Sequence, residues 1–83
     1  MKKHVKIYID YHNYDISDWI ACEHCGTTAV DIHHLSGRGI GGSKNKDFIE
    51  NLIALCRACH IKAETDKQFN NQLKELNKHK HSN

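Results

Sequence analysis

"CRACH", residues 56–60, brings two thiols and an imidazole within five positions of an 83-residue chain that contains no proline. A folded chain of this length buries only about 60% of the surface it exposes when unfolded, so a staple beyond its core is expected. The stretch "CEHC" at residues 22–25 repeats the C-x2-C spacing of Cys56 and Cys59, with thirty residues between the pairs. Four cysteines so placed are either disulfides or metal ligands, and the compartment decides between them. The N-terminus, "MKKHVKIYIDYHNYD", is broken by charges every few residues and has no apolar leader segment. No apolar run approaches the ~20 residues that span a bilayer. The chain therefore reads as cytoplasmic, where disulfides are rare. Cys22, Cys25, Cys56 and Cys59 are then expected to form a tetrahedral four-thiolate zinc site. A thioredoxin-like redox pair, with Trp19 just upstream of Cys22, would leave the second pair without a role. Free buried cysteines would explain one or two thiols but not two pairs at this spacing.

Working outward, Val5, Ile7 and Ile9 alternate with polar residues and predict a short N-terminal strand, followed by a loop over "YHNYDISD". "CEHCG" is a knuckle, with Gly26 available for a positive φ. "TTAVDIHHL" has the β-branched density of a first core strand. "SGRGIGGSKNKD", with four glycines and three cations, must be a loop. "FIENLIAL" reads as the second strand. From Arg57 the period becomes helical, and Ile61, Phe69, Leu73 and Leu76 form a thin apolar stripe. The result is one α+β domain over residues 1–83: an N-terminal strand and loop extension (1–20), a zinc-framed ββα core (22–64), and a helix continuation with a frayed basic tail, "NKHKHSN" (65–83).

Eight histidines remain to be placed. His4, His12, His79 and His81 read as surface or packed residues. His24 lies inside the first knuckle, where four thiolates already fill the tetrahedron. Cys59 and His60 are consecutive on a first helical turn, so their side chains diverge by about 100° and do not serve one small ion. His60 then faces the end of the first strand, where His33 lies. Two imidazoles with a third ligand from Glu64, four residues on along the helix, or from Asp31, two residues back along the strand, would make an open site with room for water and substrate.

The combination "C-x2-C … DIHHL … GG … ENLIALCRACH" resembles the zinc-containing branch of the HNH endonucleases, small stand-alone proteins of phages and bacteria. Their fold is the ββα-metal, or His-Me finger, motif. The resemblance covers residues 22 to about 64 and places the family's three letters on His34, Asn51 and His60. It implies that His34 is the general base that activates water, that His33 and His60 hold a divalent ion at the scissile phosphate, and that Asn51 braces the end of the first strand. Implied products are a 5′-phosphate and a 3′-hydroxyl. Two positions depart from the commonest pattern: His33 replaces an aspartate, and Glu64 stands where some members have a further histidine. The catalytic ion is accordingly open among Mg2+, Mn2+, Ni2+ and Zn2+. Neighbours on a regular strand point to opposite faces, so His33 and His34 reach one phosphate only if the strand bends or ends between them.

Arg38, Lys44, Lys46 and Arg57 suit a phosphate-rich partner. Twelve Lys and Arg against ten acidic residues give a net charge of only +2, a weak electrostatic footprint that also fits solvated loop charges. DNA is the expected partner and no membrane is. Selective cutting would need a homodimer or a specificity-giving protein, because no base-reading helix is visible. The rival reading is a non-catalytic zinc-finger module that binds nucleic acid.

Overall fold

The structure, a computed structural model, describes residues 2–15, 17–36 and 47–81. Helix α1 spans Lys3–Tyr11, strand β1 Asp31–His34, a 3-10 turn Ile49–Asn51, strand β2 Leu52–Leu55, helix α2 Arg57–Thr65 and helix α3 Lys67–Lys80. This is the expected α+β arrangement, a two-stranded ribbon followed by helix. No helix among the described residues is long and apolar enough to cross a membrane.

β1 and β2 pair antiparallel, with Asp31 opposite Leu55, Ile32 opposite Ala54, His33 opposite Ile53 and His34 opposite Leu52. Directly opposed residues share a face, so this register sorts the whole site. Ile53 and Leu55 point to one side and pack with Cys22, Leu35, Cys59, Ala63, Phe69 and Leu73. Leu52 and Ala54 point to the other and pack with Tyr8 of α1, flanked by Ile7, Tyr14, Ile20 and Ile32. All four β2 residues are fully buried, which explains why "LIAL" is apolar throughout instead of alternating. The ribbon is thus covered by α2 and α3 on one face and by α1 on the other.

The predicted N-terminal strand is a helix. Nine residues satisfy both periods: Val5, Ile7 and Ile9 alternate, while Val5, Tyr8 and Ile9 are spaced for one helical face, and it is Tyr8 and Ile9 that are buried. Packing decides in favour of the helix, since the face carrying Tyr8 covers Leu52 and Ala54. Asn13 ends α1 in the left-handed region at φ 61°. The Asn13 amide donates to the Asp10 carbonyl (3.2 Å) and that of Tyr14 to Ile9 (2.9 Å), the double closure of a Schellman cap.

The predicted continuous helix from Arg57 is broken at Asp66, whose carboxylate caps α3 by accepting from the amides of Gln68 (3.0 Å) and Phe69 (3.2 Å). The break resets the phase between Ile61 and the rest, and the expected stripe is only half right. Phe69 and Leu73 are buried, but Ile61 and Leu76 are 52% and 49% exposed. Asn77 takes the next inward position, wholly buried, and donates to the carbonyls of Glu50 (2.8 Å) and Leu52 (3.2 Å). The turn at Ile49–Asn51 likewise delays the second strand to Leu52. Residues 77–80, read as frayed tail, form the last turn of α3, and Lys80 pairs with Glu23 of the first knuckle.

Glu23 ties three elements together. Its carboxylate accepts from the Tyr8 hydroxyl (2.5 Å), from the Ala54 amide (3.2 Å) and from Lys80. Burial works against its ionised form, yet Lys80 and these donors outweigh burial and hold the carboxyl below the ordinary range. A group with a depressed folded pKa stabilises the fold above its unfolded value and loses that contribution as pH falls through the folded one. Glu23→Gln is therefore expected to cost about 1.5–3 kcal/mol at pH 7, typical of hydrogen bonds to a charged group, with the difference from wild type shrinking as pH drops below about 4. Paired thermal melts from pH 7 to 3 check this, because any acid loss of metal is common to both proteins.

Candidate active site and metal centre

The two cysteine pairs meet beside the ribbon. Gly26 turns the first knuckle at φ +85°, and the Gly26 amide donates back to the Cys22 carbonyl (2.9 Å). The second pair straddles the start of α2, where Cys56 is the N-cap and its sulfur accepts from the Cys59 amide at 3.4 Å. One sulfur from each of the four residues falls within 4.8 Å of the others, and the Cys25 and Cys56 sulfurs are 3.6 Å apart. Tetrahedral zinc with Zn–S bonds near 2.3 Å needs sulfurs about 3.8 Å apart, so the four cysteines fit such an ion. Hydrogen bonding, from the Cys59 amide above all, lowers the Cys56 thiol to about 6, so it is ionised at neutral pH. Burial pushes Cys59 the other way. His24 stays outside the set: its Nδ1 lies 3.4 Å from the Cys59 sulfur, and its ring meets Phe69 edge-on.

The register sends the histidine doublet to opposite faces, because β1 continues regularly through His34 instead of bending or ending before it. His33, 9% exposed, goes to the α2 and α3 side. Its Nε2 is 2.9 Å from the Asn70 side-chain oxygen, and its ring meets that of His60 edge-on with centroids 5.0 Å apart. The Asn70 amide nitrogen donates to the Leu35 carbonyl (2.7 Å), which fixes the amide's orientation and makes Nε2 of His33 the donor. Nδ1 then carries the lone pair. Burial, reinforced by the neighbouring His60, lowers the pKa of His33 and keeps the ring neutral at pH 7. His60 touches both candidate carboxylates, with Nδ1 at 2.9 Å from Asp31 and Nε2 at 3.4 Å from Glu64. The two acids occupy different nitrogens of one ring.

His34 goes to the α1 side. Its Nε2 lies 2.6 Å from Oδ1 of Asp47, with 16% and 19% of the two side chains exposed. An ionised carboxylate only accepts, so Nε2 holds the proton and Nδ1 the lone pair. The ring of His4, from the first turn of α1, lies over His34 with centroids 4.5 Å apart. Asn51, 4% exposed, closes the end of the ribbon. Its side-chain oxygen accepts from the Ser36 amide (2.7 Å), its side-chain nitrogen donates to the Ser36 carbonyl (3.2 Å), and its own carbonyl accepts from Leu35 (2.9 Å). Those bonds fasten the chain one and two residues beyond His34.

Of the expected phosphate-binding cations, Arg57 is exposed in the first turn of α2, while Arg38, Lys44 and Lys46 lie outside the described residues. Asp47, His4 and Asn70 were not among the residues expected at the site. Asp47 adjoins the glycine-rich loop, but nothing in the sequence marks Asn70 or His4, which depend on how α3 and α1 dock.

Residues 22–66 match the sequence profile of the HNH endonuclease family. Neither the curated proteins nor the solved structures give a match to this chain. The matched span holds both cysteine pairs, the ribbon, α2 and the residues His34, Asn51 and His60; since it covers more than half of the 83 residues, the chain belongs to the HNH endonuclease family.

Proposed function

We propose that this protein is a divalent-metal-dependent endonuclease that hydrolyses phosphodiester bonds in double-stranded DNA, with His34 as general base and zinc on the four cysteines. The observation that carries the reading is the His34–Asp47 pair. A carboxylate holding Nε2–H fixes the ring's tautomer and leaves Nδ1 as a proton acceptor, the arrangement general-base catalysis requires. Asn51 restrains the backbone just beyond it, which limits how far the base can wander.

A divalent ion would be held by His33 and His60 with Asp31 or Glu64. His33 offers a lone pair on Nδ1, and Asp31 and Glu64 each lie against one nitrogen of His60, so an ion would reach that ring by displacing one of the two contacts. Such an ion, when bound, supplies charge stabilisation at the phosphate and the leaving 3′ oxygen. Because His33 and His34 leave β1 on opposite faces, a phosphate serving both has to straddle the outer edge of β1, which has no strand beside it among the described residues. Arg57 is an exposed cation on the neighbouring helix and would meet the DNA backbone.

Supercoiled plasmid incubated with the protein should be nicked only when Mg2+, Mn2+, Ni2+ or Zn2+ is added. The nicks should be sealed by DNA ligase without kinase treatment, as a 5′-phosphate and 3′-hydroxyl require. Plasmid that binds the protein yet stays supercoiled with every ion would discard the nuclease reading in favour of the binding module.

A further inference from the structure

His34 is also one of three donors that converge at a single point. His4, His34 and Asp47 each bring a ligand atom, and these atoms lie within 4.8 Å of one another. Among the described residues, no other group of three His, Cys, Asp or Glu side chains converges this closely apart from the cysteines. The three come from separate elements: α1, the end of β1 and the segment leading into the 3-10 turn. All are half-buried. His4 lies one helical turn before the buried Tyr8 and so faces the ribbon. It also lines a groove of about 380 Å3 between α1 and β1, shared with Val30, Asp31 and Ile32. α1 lies outside residues 22–66, so this donor is an addition to the family-matched segment.

We propose that His4, His34 and Asp47 form a binding site for a transition-metal dication of the Zn2+ or Ni2+ class, and that filling it switches His34 off as a proton acceptor. Two imidazoles and one carboxylate favour borderline transition ions over Mg2+, which prefers oxygen donors and retains its waters. Ligands around a tetrahedral ion stand about 3.4 Å apart for bonds near 2.1 Å, so the trio closes on an ion by small side-chain rotations. The proton count explains the consequence. A neutral imidazole has one N–H and one lone pair. An ion seated between Nε2 of His34 and the Asp47 carboxylate takes the Nε2 lone pair, and the ring's proton moves to Nδ1. The ring stays neutral, but nothing on it is left to accept a proton from water. The switching half of the proposal rests on His34 being the base, whereas the binding half does not.

Isothermal titration of Ni2+ into the full chain, with its cysteines already loaded with Zn2+, tests the binding. Loss of outer-shell partners alone weakens metal sites by about 10–100-fold, so His4→Ala and Asp47→Asn should each weaken one wild-type binding event by about 100-fold or more. His33→Ala should leave that event in place. The two variants sit on different elements, so a folding defect confined to α1 would not affect both. Plasmid nicking gives the second readout: with the catalytic ion already saturating, further Ni2+ should slow the wild type along its binding curve for this site, and His4→Ala should shift the midpoint of that inhibition by the same factor. Titrations in which neither variant differs from wild type, or in which His33→Ala removes the event instead, overturn the site and leave the nuclease reading intact. Binding that depends on His4 and Asp47 without any slowing of nicking keeps the site, but overturns the switch and with it the assignment of His34 as base.

Discussion

Cys56→Ser should leave this chain without a cooperative melt, and chelation of the wild type should do the same. The reason is a comparison of magnitudes. Binding of structural zinc to small domains is worth about 10–16 kcal/mol at neutral pH, while a domain's whole net stability is about 5–15 kcal/mol. If loss of one thiolate of four releases the ion, the contribution removed is as large as the margin itself. Cys56 is the most damaging choice because it serves twice, as the thiol most readily ionised and as the cap that receives the Cys59 amide at the start of α2. A serine hydroxyl restores part of the cap but does not ionise at neutral pH, so the electrostatic half of the role is gone. The core offers little compensation. Cys22 and Cys59 are themselves members of the cluster formed by Leu35, Ile53, Leu55, Phe69 and Leu73, so a site that opens also unpacks that side of the ribbon. Circular dichroism melts and a count of tightly held metal after dialysis check the expectation. A Cys56→Ser protein that melts within a few degrees of wild type, with no ion retained by either, would show that the sulfurs merely pack.

The cysteine framework was legible in the sequence because its signal is local and chemical. Two C-x2-C pairs demand a soft cation or a disulfide wherever they lie, and thirty intervening residues are enough for a ribbon to bring them back together. The ribbon was legible because β-branched runs flank a glycine-rich loop. The helices were less so. α1 is nine residues long, too short for period two and period 3.6 to separate, and only the docking of Tyr8 against Leu52 and Ala54 settles its state. Asp66 stands inside a helical pattern with no proline or glycine beside it. Its role as a cap depends on the turn the chain takes there.

The site divides the same way. The proximity of Glu64 to His60 follows from four residues of helix, and that of Asp31 to His60 from the position of β1 relative to α2, so both were readable as neighbours. What no spacing rule gives is which ring nitrogen each acid meets, or that Asn70, thirty-seven positions from His33, would hold that ring in one tautomer. Asp47 and His4 reach His34 from a loop end and from a helix whose sequence also fits a strand, so their part in the site is a product of tertiary packing alone. Alternation along β1, by contrast, was a firm rule. It separates His33 from His34 and makes the outer edge of the strand the place where a phosphate could touch both.

The sharpest test of catalysis is His34→Ala, which should lower the rate of nicking by about 10²–10⁴-fold, the range for a positioned general base, or roughly 3–5 kcal/mol of transition-state stabilisation. The fold should hardly notice. His34 is the last residue of β1 and belongs to neither apolar cluster, its backbone pairing with Leu52 survives the substitution, and Asn51 still fastens Leu35 and Ser36 just beyond it. The Asp47 carboxylate, at 19% exposure, loses a partner but keeps access to water. Thermal stability should consequently stay within a few degrees of wild type, and affinity for duplex DNA, measured with the ion that supports cutting, should be unchanged. That combination identifies a group whose contribution is made in the transition state, because loss of binding would raise KM while leaving kcat alone. His33→Ala serves as the contrasting variant: a ligand lost from the ion should shift the concentration of metal needed for half-maximal nicking, which His34→Ala should not. A His34→Ala protein that nicks at the wild-type rate would remove the base from its assigned position and leave the Asp47 pair as a structural contact.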